Sequence, residues 1–143
     1  MKKNLILLFV VAILAVGFLT GCFENTATTS EPGFDGVTIE SDLVELVYAK
    51  KDFIKNDDGV ITKVEVQYLF KNIAGRDIDF DVWAEFYDKD NNLIEKSDSK
   101  WFTLLEDYVE NGELGISPAN RIFYEGNNLL DVDHVIIKTE ERV

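Results

Sequence analysis

The chain has 143 residues, with 27 acidic residues against 14 Lys and Arg, and its formal net charge at pH 7 is −13. This excess of negative charge argues against a nucleic-acid partner, which would need clustered Lys and Arg to contact phosphates. One Cys and one His exclude an internal disulfide and make a zinc site a poor expectation. The length suits one domain with a substantial hydrophobic core.

The first predicted element is an export signal over residues 1–21. Lys2 and Lys3 precede an apolar stretch, residues 5–19, that only Gly17 interrupts. A stretch of this length suits the core of a signal peptide, because a membrane-spanning helix usually needs about 20 apolar residues. The sequence therefore predicts that the remainder of the chain is exported.

The signal ends in Leu19-Thr20-Gly21-Cys22, which resembles the prokaryotic lipobox. In lipoproteins the cysteine sulfur is joined to a diacylglycerol and the chain is cut before that cysteine. The resemblance implies that Cys22 becomes the mature N-terminus and holds the protein on the extracytoplasmic face of the cell membrane. A free thiol in an uncleaved anchor and an ordinary cleavage site are the alternatives, and both still place the domain outside the cytoplasm.

Residues 22–36 are predicted to be a lipidated cysteine followed by a flexible tether. The stretch from Phe23 to Gly36 is rich in Thr, Ser, Gly and Asn and has no hydrophobic periodicity. The folded domain is accordingly predicted to occupy residues 37–143.

Two segments in the middle of the chain alternate apolar and polar residues, which is typical of half-buried strands. In "VITKVEVQYLFKN" and "DIDFDVWAEFYD" the inward positions are Val60, Thr62, Val64, Val66, Tyr68 and Phe70, then Ile78, Phe80, Val82, Ala84 and Phe86. The short Gly-containing link between the segments predicts a hairpin centred on Ala74. In that register Lys71 lies opposite Asp77 and Tyr68 lies opposite Phe80.

Further strands are predicted in "DLVELVYAKKDFIKN", "NNLIEKSD", "NRIFYEG" and "DVDHVIIKTE", and the spacing in "WFTLLEDYVENGE" indicates a helical turn. Several strands separated by turn signals, without a long helix, predict an all-β antiparallel sandwich.

The segment "AEFYDKDNNLI", after the strand "YLFKN" and before "LGISPANRIFYEG", resembles the FxLYD-type domains of exported prokaryotic lipoproteins. Tyr87 and Asp88 match the last two residues of that motif, whereas Ala84 and Phe86 stand at its Phe and Leu positions. The resemblance spans about Leu43 to Thr139. It implies an immunoglobulin-like β-sandwich and an extracytoplasmic location, and it implies less about an activity.

The residues offer little for catalysis, so we expect a protein that is not an enzyme. A Ser-His-acid arrangement would have to use His134, which lies on a predicted strand, and no serine stands in a nucleophile-elbow motif. A lone histidine on a strand usually has a structural role.

Calcium is the alternative to a purely structural turn after the second alternating strand. Asp88, Asp90 and Asn92 place oxygen-bearing side chains at alternate positions, like the start of a calcium loop. The glycine that an EF-hand requires is absent, and Asp and Asn also suit a hairpin turn. The turn is the preferred interpretation, and a calcium-binding module or cation-dependent enzyme is the alternative function.

Four apolar side chains fall on the otherwise polar faces of the two alternating strands: Trp83, Tyr87, Ile61 and Leu69. Either another segment covers them, such as the Trp101-Phe102 region, or they form a contact patch for a partner. Cover within the chain is the preferred interpretation.

From the whole sequence we expect a lipid-anchored, non-catalytic binding or interaction module, whose partner is an unidentified protein or envelope component.

Overall fold

The computed structural model describes residues 34–143, so the predicted signal peptide, Cys22 and most of the predicted tether lie outside the described residues. The described chain contains eight strands and two single-turn 3₁₀ helices. The strands are β1 Val37–Glu40, β2 Val44–Lys55, β3 Ile61–Asn72, β4 Ile78–Tyr87, β5 Leu93–Lys96, β6 Lys100–Leu104, β7 Arg121–Tyr124 and β8 His134–Glu141, and the 3₁₀ helices are Pro118–Asn120 and Leu129–Asp131. Within residues 34–143 there is no helix of the length and apolarity that crossing a membrane requires.

The strands form two sheets that pack face to face. The large sheet has the order β1-β8-β4-β5, with β6 also paired to β4, and the small sheet has the order β2-β3-β7. All pairs are antiparallel except β1 with β8, which is parallel, so the large sheet is mixed. The predicted all-β sandwich is confirmed.

The core lies between the sheets and is built from the inward positions of the alternating strands. Nine of the eleven predicted inward residues are buried: Val64, Val66, Tyr68, Phe70, Ile78, Phe80, Val82, Ala84 and Phe86. The prediction is wrong for Val60 and Thr62, which are exposed where β3 begins. Phe70 from the small sheet meets Phe80 and Phe102 from the large sheet, with ring centroids 5.9 and 5.8 Å apart. Edge-to-face packing of this kind joins the two layers.

The predicted hairpin of β3 with β4 is wrong, because the two strands belong to different sheets. Lys71 lies opposite Glu45 of β2, and Phe80 lies opposite Phe102 of β6 and Glu141 of β8. Two strands that face each other across one core bury the same alternate residues as two strands paired side by side. The alternation therefore identified the buried faces but did not identify the neighbours.

Two smaller expectations are also corrected. The predicted helical turn in "WFTLLEDYVENGE" is strand β6 followed by an irregular segment, residues 105–117. Residues 34–36, predicted as tether, belong to the folded part, because Phe34 packs against the core and its carbonyl accepts the Val37 amide at 2.5 Å. Gly36 has φ of +72°, and a Cβ there would lie 3.1 Å from the Asp133 carbonyl oxygen, so glycine is required.

Candidate functional site

The outer face of the large sheet carries four aromatic side chains that stay outside the core: Trp83, Tyr87, Trp101 and His134. Trp83 and Tyr87 point outward from β4 because they alternate with its buried residues. Trp101 of β6 lies opposite outward-pointing Asp81, and His134 of β8 lies opposite Tyr87. Both tryptophans of the chain and its only histidine thus share this surface, which we call the aromatic face.

Glu85, between Trp83 and Tyr87 on the same face, organises the aromatic side chains. Its carboxylate accepts hydrogen bonds from Trp83 Nε1 at 3.3 Å and from the Tyr87 hydroxyl at 2.6 Å. Lys138 Nζ lies 3.2 Å from Glu85 and 3.1 Å from Glu40. One carboxylate therefore holds two aromatic rings and a cation from the neighbouring strand in place.

The hydrogen bonds around Glu85 shift the pKa values of Glu85 and Tyr87. Burial raises the pKa of Glu85, but the hydrogen bonds from Tyr87, Lys138 and Trp83 outweigh it and leave the pKa below its ordinary value. Donation to Glu85 raises the pKa of the Tyr87 hydroxyl. Glu85 is therefore ionised at neutral pH while Tyr87 stays a hydrogen-bond donor.

The rings of Trp83 and Tyr87 are partly covered by neighbouring strands. Lys96 Nζ lies 4.4 Å from the Trp83 ring centroid, and His134 stacks on Tyr87 with centroids 5.3 Å apart and planes 7° apart. The expected cover from the Trp101-Phe102 region is not observed, since Phe102 points into the core and Trp101 is 64% exposed. Trp101 is thus the open part of the aromatic face.

Trp101 is accompanied by an arginine near the carboxyl end of the chain. The Arg142 guanidinium lies 5.4 Å from the Trp101 ring centroid, and its Nε lies 3.2 Å from an Asp81 carboxylate oxygen. A cation held beside an exposed indole limits the conformations of both side chains.

Ile61 and Leu69, the other two residues of the predicted contact patch, belong to the small sheet. Leu69 is buried beside a cleft that Gly112 and Ile116 also line, and Ile61 is half-buried beside the β2–β3 turn. The four residues therefore do not form one patch, because β3 and β4 are not neighbours.

The Asp88–Asn92 segment is a turn whose carboxylate is occupied by the chain itself. One Asp88 oxygen accepts the amides of Asp90 at 2.8 Å and Asn92 at 2.9 Å, and the other accepts the Asn92 side-chain amide at 2.9 Å. These bonds, the Asn92 side chain first, lower the pKa of Asp88. Asn91 adopts φ of +62°, a conformation that asparagine tolerates.

Asp90 forms an ion pair with Lys89 at 2.9 Å, so it too has a partner within the turn. Across residues 34–143, no group of three or more His, Cys, Asp or Glu side chains is placed to hold a metal ion. Asp88, Asp90 and Asn92 thus have the geometry of a turn. The His134 ring has two contacts: its Nδ1 lies 3.0 Å from Asp133 Oδ2, and the ring stacks on Tyr87. These two contacts account for the position of the imidazole.

Glu85 and Lys138 were not predicted as site residues from the sequence, and Trp101 was expected only as cover for Trp83 and Tyr87. Glu85 had a detectable signal, since it alternates with Trp83 and Tyr87 on one face. Lys138 had none, because its contact depends on the pairing of β8 with β4. Trp101 lay in a segment that was predicted to turn helically, which hid its outward direction.

No family model matches the chain, and no curated protein sequence matches it. Among solved structures, the chain is similar to the crystal structure of Campylobacter jejuni cj0090, with 10% sequence identity and a TM-score of 0.44. The similarity covers 76% of this chain and 99% of that one.

Proposed function

We propose that this protein is an extracytoplasmic lipoprotein, anchored in the cell membrane through Cys22, whose folded domain is a non-catalytic binding module. The order of charged, apolar and small residues before Cys22 supports the anchor. A diacylglyceryl group supplies two acyl chains, which stable membrane attachment requires.

The binding module is supported by one observation, the arrangement of the aromatic face. Tryptophan, tyrosine and arginine are enriched in protein interfaces, and they contribute most when their conformations are fixed before binding. Trp101 is 64% exposed beside Arg142, and the Glu85 network fixes Trp83 and Tyr87 further along β4 on the same face of the sheet. The partner that fits this face is a protein or envelope component that can cover an exposed indole.

Mass spectrometry of the N-terminal peptide from membranes of the native host tests the anchor. The expected mature chain begins at Cys22 and carries a diacylglycerol, and a Cys22→Ser variant leaves the membrane fraction. An unmodified peptide that spans Gly21 and Cys22 would contradict the proposal.

Hydroxyl-radical labelling tests the binding face without knowledge of the partner. We expect oxidation of Trp101 to be about threefold or more lower in intact cells than in the purified full-length protein, because a bound partner excludes water from an interface. Phe123, 40% exposed on the small sheet, is the control and is expected to label equally in both samples. Equal labelling of Trp101 in cells and in purified protein would rule out an occupied aromatic face.

A further inference from the structure

A second apolar surface lies at one end of the sandwich, away from the aromatic face's centre. It consists of side chains of the β3–β4 link and of the segment after β6, with exposed fractions between 46% and 61%. Its members are Ile73, Leu105, Tyr108 and Val109, and we call it the far-end surface. Four large apolar side chains in this arrangement exceed the single exposed apolar residues that are normal on a soluble domain.

The backbone that displays this surface is held firmly by buried polar groups. Asn72, 1% exposed, donates its side-chain amide to the carbonyl of Leu105 at 2.8 Å, and its backbone amide bonds the Tyr108 carbonyl at 2.9 Å. The Tyr108 amide in turn bonds the Leu105 carbonyl at 3.1 Å. These hydrogen bonds therefore fix the backbone that carries the exposed side chains.

Glu110 fixes the other side of the same segment. Its carboxylate accepts the Phe70 backbone amide at 2.8 Å and the side-chain amide of buried Asn120 at 3.0 and 2.9 Å. Its own amide bonds the Phe70 carbonyl at 2.9 Å. The segment therefore hydrogen-bonds to the edge of β3 that β7 also uses, past the last residue of β3 that pairs with β7.

The charges around the far-end surface are negative. Between Thr103 and Arg121 the chain has four acidic residues and no Lys or Arg. The basic residues near this end are paired with carboxylates: Lys71 with Glu45 at 3.0 Å, Arg76 with Glu141 at 2.5 Å and Arg142 with Asp81 at 3.2 Å. Glu106, Asp107 and Asp77 form no ion pair among residues 34–143, and all three are exposed.

Strand β4 sets the distance between this surface and the place where the chain enters the sandwich. Gly36 lies beside His134, and His134 pairs with Tyr87 at one end of β4. Leu104 pairs with Ile78 at the other end. Ten residues of strand separate the two ends by about 30 Å. The far-end surface therefore lies at the opposite end of β4 from Gly36, near which the described residues begin.

We propose that the far-end surface docks a protein partner that presents Lys and Arg around an apolar pocket. Leu105 and Tyr108 supply the apolar anchors, and Glu106 with Asp107 supplies the complementary charge. A membrane surface is not the occupant, since anionic headgroups repel these carboxylates. The docking surface does not depend on the lipoprotein function proposed above.

Site-specific photo-crosslinking in the native host tests this surface on the full-length protein. A photoreactive phenylalanine analogue replaces Leu105, or as a control Val60, which is 59% exposed against 61% for Leu105. Val60 lies just before β3, whose 12 residues place it about 40 Å from Asn72. We expect a protein adduct at position 105 with about fivefold or higher yield than at position 60, and a Lys- and Arg-rich partner peptide in that adduct.

The double variant Glu106→Lys/Asp107→Asn tests the role of charge in the same cells. It is expected to lower the adduct at position 105 about fivefold or more and to leave the melting temperature of the domain unchanged, because both side chains are exposed. Asparagine is chosen because residue 107 has φ of +57°. Equal yields at positions 105 and 60, an adduct with lipid alone, or a yield that the double variant leaves unchanged would each overturn the proposal. Loss of the anchor would instead appear as release from membranes, with the adduct at position 105 retained.

Discussion

Replacement of Asn72 by Ala is expected to be among the most destabilising polar substitutions in the domain. The Asn72 side chain is buried between the sheets, where it joins the end of β3 to the end of β6. Its amide nitrogen lies 2.8 Å from the Arg76 carbonyl oxygen, 2.8 Å from that of Leu105 and 3.3 Å from that of Leu104. Its oxygen accepts the Ala74 amide at 2.9 Å.

The magnitude follows from the number of bonds that the substitution removes. An amide group has two N–H donors, so the nitrogen makes two full hydrogen bonds and the oxygen makes a third. Each bond contributes about 1 kcal/mol, and a buried carbonyl left without a hydrogen-bond partner costs about 1 kcal/mol more. The loss of unfolding free energy is therefore about 3–4 kcal/mol. For a domain of this size, that corresponds to a fall in melting temperature of about 12–16 °C.

Urea denaturation of the purified protein, followed by circular dichroism, measures this loss. Asn111→Ala is the matched control, because it makes the same chemical change at an exposed position and is expected to alter stability by less than about 0.5 kcal/mol. Asn72→Leu separates hydrogen bonding from volume, since leucine fills the site without donors. A leucine variant as stable as the parent would refute the reasoning, because the loss in the alanine variant would then come from a cavity alone.

Three further predictions concern the core, a turn and the aromatic face. Phe80→Ala, at a fully buried ring between Phe70 and Phe102, is expected to cost about 3–5 kcal/mol in urea unfolding, and a loss below 1 kcal/mol would contradict the packing described. Gly36→Ala is expected to cost more than Gly59→Ala by thermal melting. Both positions have positive φ, which costs an L-residue about 1–2 kcal/mol, but only Gly36 has a carbonyl oxygen 3.1 Å from the added Cβ; equal losses would show that the chain relaxes there. Glu85→Gln is expected to destabilise the protein at about pH 7, and the difference from the parent is expected to shrink as the pH falls below 4.5, the ordinary pKa of the carboxyl. A carboxyl whose folded pKa is lowered stabilises the fold above its unfolded pKa and loses that contribution as pH falls through the folded value. A stability difference that stays constant in the acid range would contradict the role given to the ionised carboxylate.

The buried faces of the strands were largely predictable from the sequence. Period-two alternation is a local property of an extended chain, so Val64 to Phe70 and Ile78 to Phe86 identified their inward residues without knowledge of any neighbour. The Asp88–Asn92 turn was predictable for a similar reason, because the Asp88 side chain bonds amides only two and four residues away.

Strand pairing was not predictable in this way, and the pairing determines the candidate site. Lys71 had a plausible acidic partner in Asp77, but Glu45 satisfies it equally well from a distant segment, so charge complementarity did not distinguish the two registers. The contact patch drawn across β3 and β4 failed for the same reason.

Local sequence was sufficient for the alternation of the strands, the net charge of the chain and the signal-like segment before Cys22. The contact of Lys138 with Glu85, the exposure of Trp101 and the bonds from Asn72 to the segment after β6 follow from the tertiary structure alone. The physical reason is that side-chain direction depends on the backbone within a few residues. Which strands become neighbours depends on how two sheets close over one core, and that is decided by contacts between distant parts of the chain.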